Sequence, residues 1–315
     1  LPQIVGRYTR AGLPGGIDSY VETDYTQFES KSFLTGQPNA KRGFMMAQLS
    51  RPWQAPGWFV TPKVQLHATQ YQFDGTLANG ATSASRSVPT FSLDSGLIFE
   101  RDASYFGRSF RQTLEPRAFY VYTPFRNQAQ LPNYDSASND FNFATIYSDN
   151  AFVGNDRINN ANQVSFALTT RFIESSSGTQ RLSASIGQRY YFSDQKVALD
   201  NNPESFRKNT SSDIIAGISG QLKNSWIIDA FWQYNTDDSK SVRSTVAGRY
   251  NPEPGKVLNL SYSYRQDSID QGDISAQWPL GKGWYGIGRA NYSFRENRVI
   301  ETIGGLEYDA GCWQA

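Results

Sequence analysis

RQTLEPRAFYVYTPF, residues 111–125, and NQVSFALTTRF, residues 162–172, are the two runs on which the fold turns. In the second, Val164, Phe166, Leu168 and Phe172 fall on one parity, while Gln163, Ser165, Thr169 and Arg171 fall on the other. A two-residue period describes a strand with one apolar and one polar face. The interval between the runs, through Ala161, is about thirty-five residues rich in Asn, Asp, Ser and Tyr, where a hairpin connection has roughly 2 to 5. So long an excursion among strands is where function is sought first.

Composition narrows the class. With 315 residues the chain can form one large all-β unit or two ordinary domains. Mean hydropathy is -0.55, and no apolar run approaches the roughly 18 residues of a membrane-spanning helix. Aromatic residues nevertheless make up 14% of the chain. That content suits a soluble β protein, or a transmembrane barrel whose strands give every second residue to a polar lumen. Thirty basic and 29 acidic residues leave a net charge of +1, too balanced for a nucleic-acid footprint. One Cys and one His exclude an internal disulfide framework and a clustered His/Cys metal site. No signal peptide opens the chain at Leu1, so export implies a fragment.

Outward from the two runs the alternation repeats. Strands are expected over 3–12, 17–29, 43–50, 58–73 and 89–100, with a mobile polar connection at 74–87. Further strands are expected from 180–192 to 299–310, which makes about fifteen in an all-β antiparallel meander without helices. The connections alternate as well. LPGG, PWQAPG, ESSSGT, KNS, NPEPGK and PLGKG are short and fall at one end. The loops beginning near Ser30, Asp74, Arg126, Asp194, Asn235 and Gln266 fall at the other. Outer-membrane barrels have short periplasmic turns and longer external loops. Tyr120, Tyr122, Tyr190, Tyr191, Phe192, Tyr262, Tyr264, Tyr292 and Phe294 lie toward strand ends, where interfacial girdles belong. A soluble sandwich or propeller, with aromatics filling a core, is the alternative.

LPQI at Leu1, IFERD at Ile98, QTLEPRAFYVYTPFRNQ from Gln112, NYDS at Asn133, DRINNANQV from Asp156 and IGQRYYF from Ile186 together resemble the LptD family of lipopolysaccharide-assembly proteins. The resemblance runs in order along the chain. It implies a single partial β-barrel domain over 1–315, part of a large transmembrane barrel of the Gram-negative outer membrane. It further implies a preceding periplasmic jellyroll, a plug formed by the lipoprotein LptE, and delivery of lipopolysaccharide through the periplasmic bridge protein LptA. On that basis the chain lacks the jellyroll and the first and last barrel strands, and forms wall, not lateral gate.

Chemical constellations are sparse. His67 is the sole candidate base for a hydrolase, and Gln65 and Thr69 place it on a polar strand face as a solvated side chain. Asp237 and Asp238 are adjacent in a loop, and Gly15-Gly16 and Gly304-Gly305 lack the strand-to-helix setting of a phosphate loop. No enzyme, cofactor or metal is expected. Arg117, Arg171, Arg189, Arg249, Arg265 and Arg289 share the polar parity. Such arginines can meet lipid A phosphates or the plug, or pair with carboxylates across a wet lumen. A diffusion porin remains the competing function.

Three expectations concern placement. Segment 127–160 should lie on the external side and fold over or into the barrel mouth. Leu168 and Ile228 should face lipid, while Ser165 and Gln233 should accept a charge. Strand counting puts Cys312 at the periplasmic end, where thiols seldom stay unpaired. The resemblance sets Cys312 on the second of two adjacent cysteines that bridge to the N-terminal periplasmic region, with Gly311 at the first. A free thiol is the other reading.

Overall fold

Alternating β-branched and aromatic residues favour extended backbone that packs on one side. The computed structural model describes residues 2–29, 36–77, 79–105, 107–200, 202–222 and 225–312. The Ser30 end of the second connection and Lys223 and Asn224 of the KNS turn lie outside them. Before the excursion come β1 (Gln3–Leu13), β2 (Ile17–Phe28), β3 (Ala40–Ser50), β4 (Trp53–Ala55), β5 (Trp58–Phe73), β6 (Ser83–Leu97), β7 (Phe99–Tyr105) and β8 (Arg108–Thr123). The excursion carries β9 (Ala137–Ser138) and β10 (Phe152–Val153). After it come β11 (Ala161–Glu174), β12 (Gln180–Tyr191), β13 (Ile214–Leu222), β14 (Trp226–Asn235), β15 (Lys240–Glu253), β16 (Lys256–Arg265), β17 (Ile269–Gly281), β18 (Trp284–Ser293) and β19 (Arg298–Tyr308). A 3-10 turn at Pro203–Ser205 is the helical element among the described residues.

The all-β antiparallel expectation holds, with 19 described strands against about fifteen expected. Three of the extra elements, β4, β9 and β10, are two or three residues long, too short to show a period. The fourth is β7. β6 pairs with the later half of β8 and β7 with the earlier half. The interruption falls at Pro116, which has no N–H to donate to the ladder. β6 also begins at Ser83, inside the stretch expected to be mobile, because Ser83 to Ser87 pair with Gln72 to Ala68 of β5. A serine-rich composition reads as loop, and the neighbouring strand overrides it.

The short-long parity of connections is kept, but it is slight toward the C-terminus. There the turns have two residues at 254–255 and 282–283, three at 266–268 and four at 236–239 and 294–297.

The chain divides into two compact units: Leu1–Leu97, Arg117–Phe166 and Arg189–Ser212 form one, and Ile98–Pro116, Ala167–Gln188 and Asp213–Ala315 the other. In the first, β1, β2, β3, β5, β6 and the later half of β8 pair successively and antiparallel. In the second, β12 through β19 do the same. One parity is apolar and exposed in both: Leu66, Phe91 and Phe166 in the first, Ile218, Leu260 and Ile303 in the second. An apolar face this continuous is untenable in water and is the outer face required in a bilayer.

The opposite faces differ. In the first unit the excursion lies on the strands and buries Phe119, Val121 and Ala161 against Tyr147, and Ala40, Tyr71 and Phe73 against Leu131. In the second, Ala167 and Ile215 are the buried apolar residues among those described. A sandwich packs two sheets through an apolar core, and among the described residues of the second unit these two form none. The soluble reading falls on that observation.

Candidate functional site: the anchored excursion

Strand register brings the anchoring residues together. Arg42 of β3 stands opposite Thr26 of β2 and Tyr71 of β5. On the next inward rung, Asp24 is opposite Phe44, Phe44 opposite Thr69, and Thr69 opposite Arg86. These side chains point inward by the same alternation that sends Lys41, Gly43 and Gln70 outward. Above them the excursion contributes Gln128, Asp135, Asp156 and Arg157.

Asp156 is fully buried, with 0% exposure, so each carboxylate oxygen must find donors in protein. Its Oδ1 accepts from Arg42 at 2.8 Å and from the Tyr71 hydroxyl at 2.6 Å. Its Oδ2 accepts from the backbone N–H groups of Tyr134 at 2.6 Å and Asp135 at 2.8 Å. Arg42 also meets Asp135 at 2.7 Å and lies 4.9 Å from the centre of the Phe28 ring, which itself stacks on Tyr134. Burial, the largest influence, pushes the Asp156 carboxyl above the ordinary carboxylate value against the pull of Arg42. Burial acts in the same direction on Asp135, but hydrogen bonding to Arg42 and Asp156 prevails and holds Asp135 below the ordinary value.

Two more arginines lock backbone rather than carboxylates. Arg86 donates to the carbonyls of Asn155 at 2.7 Å and Asp156 at 2.5 Å, to Gln128 Oε1 at 2.7 Å and to Thr69 Oγ1 at 3.1 Å. Arg157 donates to the carbonyls of Leu131, Pro132 and Ala198. Loop carbonyls that leave water need such donors. Gly154 has φ of 76°, and a Cβ there would stand 2.3 Å from the Asp135 carbonyl oxygen. Only glycine fits this crossing.

The tip, near residues 141–149, is held differently. Arg117 lies 3.8 Å from the Tyr147 ring centre and pairs with Asp94 at 2.5 Å. Arg189 donates to the carbonyls of Thr145 and Ile146 and lies over Phe141. Lys63 pairs with Asp149.

The six arginines therefore part company. Arg117 and Arg189 clamp the excursion, and Arg171 pairs with Glu115. Arg289 is exposed and pairs with Asp273 and Glu301, while Arg249 and Arg265 are exposed. His67 is not the solvated side chain expected: it is half-buried, 6.0 Å from the Phe44 ring. Ser165 is buried too, donating to the Ile146 carbonyl at 2.7 Å and accepting from Arg189 at 3.0 Å. Cys312 is exposed and unbridged within the chain.

Sequence reasoning missed Arg42, Arg86, Asp156 and Arg157. A signal was present, since Arg42 and Arg86 sit on inward parities whose neighbours are Ala40 and Phe44, and Ala84 and Val88. A charge among apolar residues of one face announces a buried partner. Among the described residues no group of three or more His, Cys, Asp and Glu is placed to hold a metal.

The profile of a family described as LPS transport system D matches residues 1–284. The LPS-assembly protein LptD of Paracidovorax citrulli is 47% identical over 333 residues, covering 99% of this chain and 40% of that protein. That of Albidiferax ferrireducens is also 47% identical, over 99% of this chain and 41% of its own length. The chain thus spans about two fifths of the curated relatives it matches. The ferric enterobactin receptor of Pseudomonas aeruginosa is similar over 98% of this chain and 55% of that one, with a TM-score of 0.43 at 10% identity. The chain belongs to the LptD family of the Gram-negative outer membrane.

Proposed function

We propose that this chain is a stretch of the wall of the outer-membrane barrel that inserts lipopolysaccharide into the outer leaflet. The observation that carries the reading is 47% identity, over 99% of the chain, to a protein named for LPS assembly. The apolar outward parity of both units supports a membrane setting. The activity belongs to a longer protein, to which this chain contributes wall strands and an excursion fixed onto their inner face.

Within that protein the reading assigns further roles. A lipoprotein plug of the LptE type occupies the barrel, and a periplasmic bridge of the LptA type supplies lipopolysaccharide through the region N-terminal to this chain. Arg249, Arg265 and Arg289 are exposed and are assigned contacts to phosphate or plug, Arg289 while paired with Asp273 and Glu301, whereas Arg117, Arg171 and Arg189 are less exposed and serve this chain's own side chains and loop. Cys312 is assigned a disulfide to the N-terminal periplasmic region, which fixes the delivery path against the barrel.

The test is purification of the full-length protein from outer membranes, followed by planar-bilayer recording. A stoichiometric lipoprotein partner and no solute conductance are expected. An open channel without that partner would support a diffusion porin and remove the reading.

A further inference from the structure

On the outward face of β14 to β18, within the second unit, lies a groove of about 690 Å³. Its origin is a pattern of missing side chains. Ile228, Gly248, Leu260, Ile274 and Ala290 are successive cross-strand partners, and the adjoining outward row runs Val246, Tyr262, Gly272 and Tyr292. Gly248, Gly272 and Ala290 leave the floor low between taller neighbours. A Cβ placed on Gly248 meets nothing within 4 Å, so that part of the floor is open, whereas one on Gly272 meets the Phe294 ring at 3.2 Å.

The walls are set by contacts among themselves. Trp226 packs on Tyr250 at 4.6 Å between ring centres, and Phe294 packs on Tyr292 at 5.2 Å and on Tyr262 at 6.1 Å. The Tyr262 hydroxyl donates to Asp270 and the Tyr292 hydroxyl to Asn297, so both polar tips are engaged at the strand ends. The hollow itself is lined by apolar side chains and strand backbone.

Depth decides the occupant. β14, β16 and β18 have 10 residues each, about the number that crosses the hydrocarbon layer. Leu260 stands at the middle of β16, and its row with Gly248 and Ile274 falls midway along the neighbouring strands. At that level a bilayer holds neither water nor headgroups. A ligand with polar groups would find no partner for them there. An unbranched hydrocarbon fits an apolar trough walled by aromatic rings that pack on one another.

We propose that the groove floored by Gly248, Gly272 and Ala290 seats one acyl chain of a membrane lipid, held longer there than on the outward face around Ile186 and Ile218. The proposal rests on the reading of these strands as membrane-spanning. Association inside a bilayer is driven by packing, since lipid tails are as apolar as the protein surface. A handful of added carbon–carbon contacts in the trough then amounts to about threefold in occupancy.

The full-length protein with its partner is reconstituted in phosphatidylethanolamine vesicles in which a fraction of the lipid carries a diazirine midway along one acyl chain, and labelled peptides are mapped after irradiation. Labelling around Gly248, Leu260 and Ile274 should exceed that around Ile186 and Ile218 by about threefold. Gly248→Leu, which fills open space, should erase the excess while leaving labelling at Ile186 and Ile218 unchanged. Ala290→Leu, on another strand, should do the same, and heat-modifiable gel mobility reports that both variants are folded. Equal labelling of the two faces in the native protein, or an excess that survives both substitutions, would overturn the groove. Absence of label from both faces would instead overturn the membrane-spanning reading.

Discussion

Asp156 shows what a single buried residue commits the chain to. Its two oxygens accept four hydrogen bonds, two from strand side chains and two from the excursion's own backbone. Asp156→Asn keeps the shape but turns one oxygen into a donor, which then faces either Arg42 and Tyr71 or two N–H groups. We expect it to be nearly as damaging as Asp156→Ala, at about 3–5 kcal/mol, the range for breaking a buried ion pair by removing one partner. Protease cleavage within residues 126–160 of folded protein is the measurement, and a clearly milder effect of the Asn variant would contradict the assignment. Acid tests the neighbouring carboxylate. Because the folded protein holds Asp135 below its ordinary value, its stabilisation is complete above the unfolded value of about 3.9 and is lost as the pH falls below it. Asp156, displaced upward by burial, works in the opposite sense, since protonation relieves part of the cost of burying its charge. Protection of the excursion's amides, taken relative to their intrinsic exchange rate at each pH, should therefore fall moderately below about pH 4. In Asp135→Asn that loss in acid should disappear, leaving only the opposite trend from Asp156; its persistence would assign the effect to another group.

At the level of the strand, one alternation was legible and its consequences were not. The sequence separates Phe166 and Leu168 from Gln163 and Ser165, and the structure exposes the first pair and buries the second. Polar parity does not, however, mean wet. Ser165 lies under the excursion in contact with Arg189, and Gln233 donates to Asp213 at 2.6 Å, so neither is an indifferent place for a carboxylate. Ser263 is a better control, because its cross-strand neighbours are Thr245 and Gln271. Asp at Leu168 or Ile228 is expected to cost on the order of 2 kcal/mol by placing a charge against lipid. Asp at Ser263 should be nearly neutral. Urea titration of vesicle-inserted full-length protein decides this, and equal tolerance at the three positions would mean that the outward face does not meet the bilayer.

For the molecule as a whole, the proposed disulfide of Cys312 would tie this chain to the N-terminal periplasmic region. That bridge would close a loop of several hundred residues and would contribute about 5 kcal/mol by chain entropy. Non-reducing peptide mapping of assembled full-length protein should recover Cys312 in a disulfide, and a free thiol in functional material would remove the assignment. The sequence by itself determined the strand class, the two faces, the parity of connections and, through runs such as QTLEPR and DRINNANQV, the family. Those properties are local, repeated every second residue or carried in contiguous runs. Only the tertiary structure decided that the excursion is fastened to β3, β5 and β6 by Arg42, Tyr71 and Arg86, and that Arg117 and Arg189 clamp its tip. These partners stand up to 114 positions apart, and no periodicity encodes which buried charge meets which carbonyl. That choice is made when strand register sets the donors on one face and burial leaves each of them without water.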